Sequence, residues 1–214
     1  MRIWRRLLRA ETAFAEGAET VAGVDEAGRG PLAGPVVAAA VILDRAVRWD
    51  GVDDSKKLGE PDREELYARV LKGARAFGWS VMGPRRIDAI NIRQASLEAM
   101  RRSVTRLSVS PALVLVDGID EIPGITVRQR TVIDGDARML SIAAASVVAK
   151  VVRDRIMTHL DRVWPAYGFA RHKGYSTPEH LDVLKRLGPC PIHRYSWERI
   201  RVQELPLFED APQV

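Results

Sequence analysis

Asp25 and Glu26 sit side by side at the end of a short apolar run, VAGVDE. Asp117 closes another, ALVLVD, and the segment Asp134-Gly135-Asp136 stands just ahead of a long apolar-periodic stretch. Acidic residues are depleted from strands, and a buried carboxylate needs a partner or a cation. Several carboxylates meeting at the strand ends of an α/β sheet repel one another unless a cation neutralises them. An oxygen-only set favours Mg2+ or Mn2+, and no His or Cys cluster has zinc spacing. Two such ions, about 3.5–4 Å apart, can clamp the attacking water and the leaving oxygen of a phosphodiester. The expected chemistry is phosphodiester hydrolysis. Any one of these acids alone would read as a cap or a turn residue. Their joint occurrence with the motifs around them carries the inference.

Elements must exist to hold these acids. Residues 21–43 read as a strand, a Gly/Pro loop and a second strand, with a hairpin-like return. The run ALVLV at 112–116 reads as a central strand, residues 77–81 alternate as a strand, and 125–133 do so roughly. Amphipathic helices are expected at about 1–16, 60–74, 87–107 and 141–164, the last ended by Pro165. A short helix follows Pro178 and closes at Gly188. Strands early and helices late give an α/β core with a helical C-terminal part. One domain is expected over 1–214: a core at about 17–164, a C-terminal helical segment at about 165–203, and a loose tail at 204–214.

The 214 residues carry a net charge of +5 and 46% hydrophobic side chains. That balance is ordinary for a globular protein and gives mild support to a polyanionic partner. The single cysteine, Cys190, excludes an internal disulfide and fits a reducing compartment. No run approaches the length of a membrane span, and the basic start MRIWRRLLRA lacks the apolar core of a secretory signal. A monomeric, cytoplasmic protein away from membranes is expected.

Seven short blocks follow one another in the chain: DEAGRG, DSKKL, IDAINI, LVDG, SIAAASVVAKVVRD, YGFARHKGYST and IHRYSW. Together, and in this order, they resemble prokaryotic ribonuclease HII. Each block is weak alone, but seven in order are specific. The resemblance implies an α/β ribonuclease H-like mixed sheet flanked by helices, with a helical C-terminal part that binds substrate. It implies an endonuclease that hydrolyses the RNA strand of RNA–DNA hybrids and cuts 5′ to ribonucleotides embedded in duplex DNA. Two divalent cations, Mg2+ or Mn2+, would serve it, leaving 3′-hydroxyl and 5′-phosphate ends. The family's four catalytic, metal-binding acids carry over as Asp25, Glu26, Asp117 and Asp136. The chain departs from the family at Asp134, where Lys is usual, and at Asp53, where Asn is usual. Both changes put negative charge near a polyanion. Asp154 is an outside candidate for the fourth ligand, although an ion pair with Lys150 along a helix suits it better.

The substrate surface is expected to draw on separate segments. Gly28-Arg29-Gly30 allows close backbone approach, and in the family this loop reads the ribose 2′-hydroxyl, the group that tells RNA from DNA. Ser55 and Lys56, with Ser146 and Lys150, are candidate phosphate ligands, the last two four apart on one helical face. Tyr175 matches the family's substrate tyrosine. His172 and His193 are expected to position or support, because two metals activate water without a general base.

Overall fold

The computed structural model describes residues 3–52 and 58–201. In chain order these form α1 (Ile3–Phe14), β1 (Val21–Ala27), β2 (Val36–Leu43), α2 (Glu60–Gly73), β3 (Ala74–Met82), α3 (Pro84–Ile90) and α4 (Ile92–Thr105). Then come β4 (Leu113–Asp117), β5 (Gln129–Val132), α5 (Leu140–Val163), α6 (Phe169–His172), α7 (Pro178–Leu187) and α8 (Glu198–Arg201). The strands form one mixed sheet in the order β3-β2-β1-β4-β5. β1, β2 and β3 run antiparallel in sequence, whereas β1 pairs with β4, and β4 with β5, in parallel.

β2 is apolar throughout because both of its faces are covered. Val37, Ala39 and Val41 pack with α5 on one face, and Val36, Ala38, Ala40 and Ile42 pack with α4 on the other. The alternation is the period-two geometry of a strand. Small residues matter as much as apolar ones here. Ala143, Ala144 and Ala145 of α5 are fully buried. Where β1 meets the start of α5, a Cβ on Gly23 would overlap the Ser141 backbone. The same helix start is capped from a distance. The Ser141 N–H and Oγ both donate to Glu11 Oε2 of α1, at 2.7 Å each. Burial pushes the Glu11 carboxyl up, and the Ser141 bonds oppose that rise.

Three details differ from the sequence reading. The helix expected at 87–107 is two helices, because Asn91 takes a left-handed φ of 67° and its side chain accepts from the Gln94 N–H at 3.1 Å. β3 starts at Ala74, directly after α2, so the strand is longer than 77–81 and the helix shorter. β5 covers only Gln129–Val132, since Ile125 and Val127 pack against the α4 face before the ladder begins. Among the described residues no helix is long and apolar enough to cross a membrane.

The β1–α5 contact yields a stability test. Gly23→Ala forces a methyl into the Ser141 backbone, so we expect a loss of about 3 kcal/mol or more, at the upper end of overpacking costs. Urea unfolding measures it, and an unchanged midpoint would show that the strand and helix are not pressed together there.

Candidate active site at the ends of two parallel strands

The parallel register pairs Val24 of β1 with Val116 of β4. The next residues are Asp25 and Asp117, which places two acids at neighbouring strand ends, about 5 Å apart by strand spacing. Val24 and Val116 face the α4 layer, so both acids face the α5 layer. Asp25 is only 5% exposed. Its Oδ1 accepts the Glu26 N–H at 2.7 Å, and the Ser146 side chain of α5 hydrogen-bonds its carboxylate. Asp117 Oδ1 accepts the Gly135 N–H at 2.7 Å. That bond ties the tight turn Gly135–Ala137 to the end of β4. Asp136 lies within this turn and is 5% exposed, whereas Asp134 opens it in a left-handed conformation (φ 53°) and faces solvent. The turn therefore carries Asp136 inward and Asp134 outward.

Glu26 follows Asp25 directly and so alternates to the other face. It lines a cleft of about 320 Å3 with Arg29, Arg93, Leu97 and Met100, which Asp117 and Gly118 also border. Arg29 Nη1 lies 3.4 Å from its carboxylate. Among the described residues, no three Asp, Glu, His or Cys side chains close around a single point in the manner of a preformed metal site. The electrostatics nevertheless call for positive charge. Burial pushes the Asp25 carboxyl well up, the charges of Glu26 and Asp117 push it further, and the Ser146 and Glu26 hydrogen bonds oppose them. A buried, mutually repelling, oxygen-only set fits a hard divalent cation.

The expected substrate residues gather beside these acids, along α5. Ser146 is buried against Asp25. Lys150 Nζ pairs with Asp154 Oδ1 at 2.7 Å, the helix ion pair that the spacing suggested. Tyr175 is 42% exposed. Arg153 stands 5.6 Å and Lys150 6.0 Å from its ring centre. Gly28 adopts φ 99°, and a Cβ there would run into the Arg153 side chain. Gly30 has open space where a Cβ would be. Ser55 and Lys56, with Asp53, lie outside the described residues. Sequence reasoning missed two fully buried arginines, Arg153 and Arg194. An arginine on a helix or in a loop usually reads as solvated, and nothing local marks these two otherwise.

The histidines form a structural chain. His193 Nδ1 lies 2.9 Å from the Cys190 N–H and 3.1 Å from the Cys190 carbonyl; when it accepts the N–H, the closer contact, Nε2 carries the proton. That nitrogen faces His180 Nε2 at 3.1 Å, and His180 Nδ1 in turn reaches the Tyr175 carbonyl at 2.9 Å. Every link is satisfied when both rings are neutral. His172 stacks on His180 with ring centres 4.3 Å apart. Its Nδ1 accepts the Gly174 N–H at 3.1 Å and its Nε2 meets the Tyr167 carbonyl at 2.7 Å. These rings brace the loop that carries Tyr175, and among the described residues their hydrogen bonds reach no acid of the site.

Comparison with known proteins places this geometry. The family model described as Ribonuclease HII matches residues 22–200. A protein of Geobacter metallireducens named Ribonuclease HII is 52% identical over 190 residues, covering 89% of each chain. The ribonuclease H2 of Pyrococcus horikoshii superposes with a TM-score of 0.75 at 29% identity, over 86% of this chain and 97% of that one. The Bst ribonuclease HIII solved in complex with Mn2+ gives a TM-score of 0.69 over 90% of this chain and 71% of that one. At 17% identity this last likeness shows the fold alone.

The neutral histidine chain predicts a pH dependence. Burial, ahead of all other causes, pulls His180 and His193 down to about 4. The unfolded chain keeps the ordinary value of about 6.5, so it takes up protons first as pH falls. Stability is thus complete above about pH 6.5, falls between about 6.5 and 4, and levels off below. Asp25 acts in the opposite sense, because a raised carboxyl adds stability as pH falls. The comparison is therefore between wild type and His180→Asn, with urea midpoints measured from pH 7 to 4.5. The wild type should lose the more across that window. Equal losses in the two proteins would show that His180 does not titrate as its surroundings demand.

Proposed function

The chain belongs to the ribonuclease HII family, and from that premise we propose that its strand-end acids use two divalent cations to cut 5′ to ribonucleotides, including single ones embedded in duplex DNA. Membership makes it a ribonuclease H, an endonuclease acting on RNA–DNA hybrids. The observation that carries the finer reading is the in-register meeting of Asp25 and Asp117, with the turn bearing Asp136 hydrogen-bonded to Asp117.

In this reading Asp25, Glu26, Asp117 and Asp136 hold Mg2+ or Mn2+. Mn2+ is the ion named with the Bst ribonuclease HIII. When bound, the two cations supply a clamp for the attacking and leaving oxygens of the phosphodiester, leaving 3′-hydroxyl and 5′-phosphate ends. The protein's own groups do the positioning. Ser146 fixes the orientation of Asp25. The Gly28-Arg29-Gly30 backbone reads the ribose 2′-hydroxyl, which the open space at Gly30 supports. The Tyr175 ring packs on the neighbouring sugar, where a deoxyribose fits and an extra hydroxyl does not. Lys150 and Ser146 are the phosphate contacts of this reading, a role it also gives to Ser55 and Lys56. Residues 1–214 act as one domain, a cytoplasmic monomer in which the segment at about 165–203 brings Tyr175 to the acids.

Duplexes holding none, one or several ribonucleotides test the reading, with Mg2+, Mn2+ or a chelator present. Cleavage should occur 5′ to ribonucleotides, require the divalent ion and spare the all-DNA duplex. Failure to cut a single embedded ribonucleotide would sink the finer proposal while leaving hybrid cleavage intact.

Two sets of variants follow. Asp136→Asn should lower turnover on the order of a thousandfold, the loss of several kcal/mol of charge stabilisation at the cations. Asp134→Asn should change it by no more than about threefold, since a surface charge is screened. The reverse ranking would show that Asp134 is the fourth ligand. Tyr175→Ala should slow cleavage at single ribonucleotides more than cleavage of continuous hybrids, and Tyr175→Phe should keep most activity. Equal slowing on both substrates by Tyr175→Ala would remove the tyrosine from the junction.

A further inference from the structure

The loop at 28–35 is held by its carbonyls. Arg194 is fully buried, and its guanidinium donates to Gly34 O at 3.0 Å, Arg29 O at 2.8 Å and Gly28 O at 2.6 Å. Its backbone N–H adds Leu32 O at 2.9 Å. Arg153, equally buried, donates to Pro35 O at 3.0 Å and Ala33 O at 3.3 Å, and to Lys173 O at 3.0 Å across the gap to the Tyr175 loop. Among the described residues neither guanidinium is hydrogen-bonded to a carboxylate. A buried cation whose hydrogen bonds all go to neutral carbonyls is an expensive way to close a turn. Burial, then the repulsion of Arg153, pulls Arg194 down to about 9, which leaves it charged at neutral pH.

The arrangement leaves donors to spare. Backbone groups need partners, and here the carbonyls are consumed from beneath. Among the described residues no acceptor takes the N–H of Arg29 or Gly30. The loop thus offers backbone donors over a positive base, the kind of concavity that receives an oxygen acceptor.

The segment bearing Arg194 is itself anchored. Asp88 Oδ2 accepts the Tyr195 N–H at 3.0 Å, and Asp88 Oδ1 accepts the Ser196 N–H at 3.0 Å and Ser196 Oγ at 2.6 Å. Asp88 belongs to α3 and to the IDAINI block, for which the acids and the substrate loops gave no use. The Trp197 ring lies 5.4 Å from the Arg194 guanidinium.

We propose that Arg194 is a positioning residue for ribose recognition: braced by Asp88, it holds the 28–35 loop by its carbonyls so that the Arg29 and Gly30 amides face the substrate. The proposal rests on the reading that this loop contacts the ribose. Lysine cannot replace Arg194, because one ammonium lacks the planar fork that serves three carbonyls at once.

The test uses the full chain and two matched duplexes, one holding a single ribonucleotide and one all DNA. Arg194→Lys and Arg194→Ala should lose at least tenfold in kcat/KM on the ribonucleotide duplex, mostly in kcat. Binding to the all-DNA duplex should change less than twofold. Added guanidinium ion should restore part of the Arg194→Ala activity and none of the Arg194→Lys activity. Asp88→Ala keeps the cation and loosens its brace, so it should shift kcat in the same direction by a smaller factor, and it decides the matter if the Arg194 variants do not fold. Folded variants that keep wild-type kcat and wild-type preference for the ribonucleotide duplex would overturn the proposal. Wild-type protein that binds and cuts without regard to the ribose would instead overturn the reading beneath it, and the proposal with it.

Discussion

Backbone contact between β1 and α5 sets the position of everything at the site. Gly23 lets the strand come up against Ser141, and Glu11 locks that end of the helix by two bonds to the same serine. The rest of α5 then acts as a ruler, rising about 1.5 Å per residue. Ser146 reaches Asp25, Lys150 and Arg153 stand by the Tyr175 ring, and Arg153 also holds the loop beyond β1. One turn further on, Met157 fills the space that side chains at Gly34 and Gly174 would take. A shift of the helix start would move all of these together. The acids and the loops around Gly28 and Tyr175 therefore share one mechanical reference, a backbone contact two residues before Asp25 with Glu11 capping the helix start beside it.

Much of this frame is legible in the sequence because its signals are local. Short apolar runs bounded by Gly and Pro mark β1, β2 and β4, and those of β1 and β4 lead into acids. The long periodic stretch ended by Pro165 marks α5 within one residue at each end. The break at Asn91 is invisible, because no Gly or Pro announces it and the apolar period continues on either side. The separation of Asp25 from Glu26 is readable in principle. Adjacent residues of a strand point apart, so a DE pair at a strand end serves two faces rather than one. The sequence offers a fourth acid at either Asp134 or Asp136, and the left-handed turn separates them by burial.

The supporting shell was illegible for a different reason. His180 and His193 are thirteen positions apart by their numbers, and each is ordinary in its own segment. Only when the loop before α7 folds against the segment after it do the two rings meet and reach the Tyr175 carbonyl. Arg194 is further still from the carbonyls it holds at Gly28 and Arg29. Such residues are defined by the convergence of three distant segments, and periodicity carries no information about convergence. Leu32 N–H to Gly174 O, Gly34 N–H to Ile192 O and the Ala33–His193 bridge make the same point in the main chain. Two of the seven blocks are stitched there to the loop that follows the first.

The site buries charge of both signs with little direct pairing between them. Asp25 is buried against Glu26 and Asp117, and its carboxyl rises chiefly through burial and then through the charges of those two acids. A few residues away, Arg153 and Arg194 are buried against carbonyl dipoles, and each is held below its ordinary range chiefly by burial. A fold selected only for stability would let these groups pair with each other, since a matched buried pair costs less than two separate buried charges. Keeping them apart gives two distinct surfaces. The acids form a region of concentrated negative charge, the kind that suits the divalent cations of the proposed reaction. The arginines take the carbonyls of the 28–35 loop and leave its Arg29 and Gly30 amides as donors, as the proposed ribose contact requires. Pairing would erase both. The destabilisation is absorbed by the apolar layers on either side of the sheet, where β1, β2 and β4 are almost wholly buried. The central sheet is thus the source of the stability that the two charged surfaces consume.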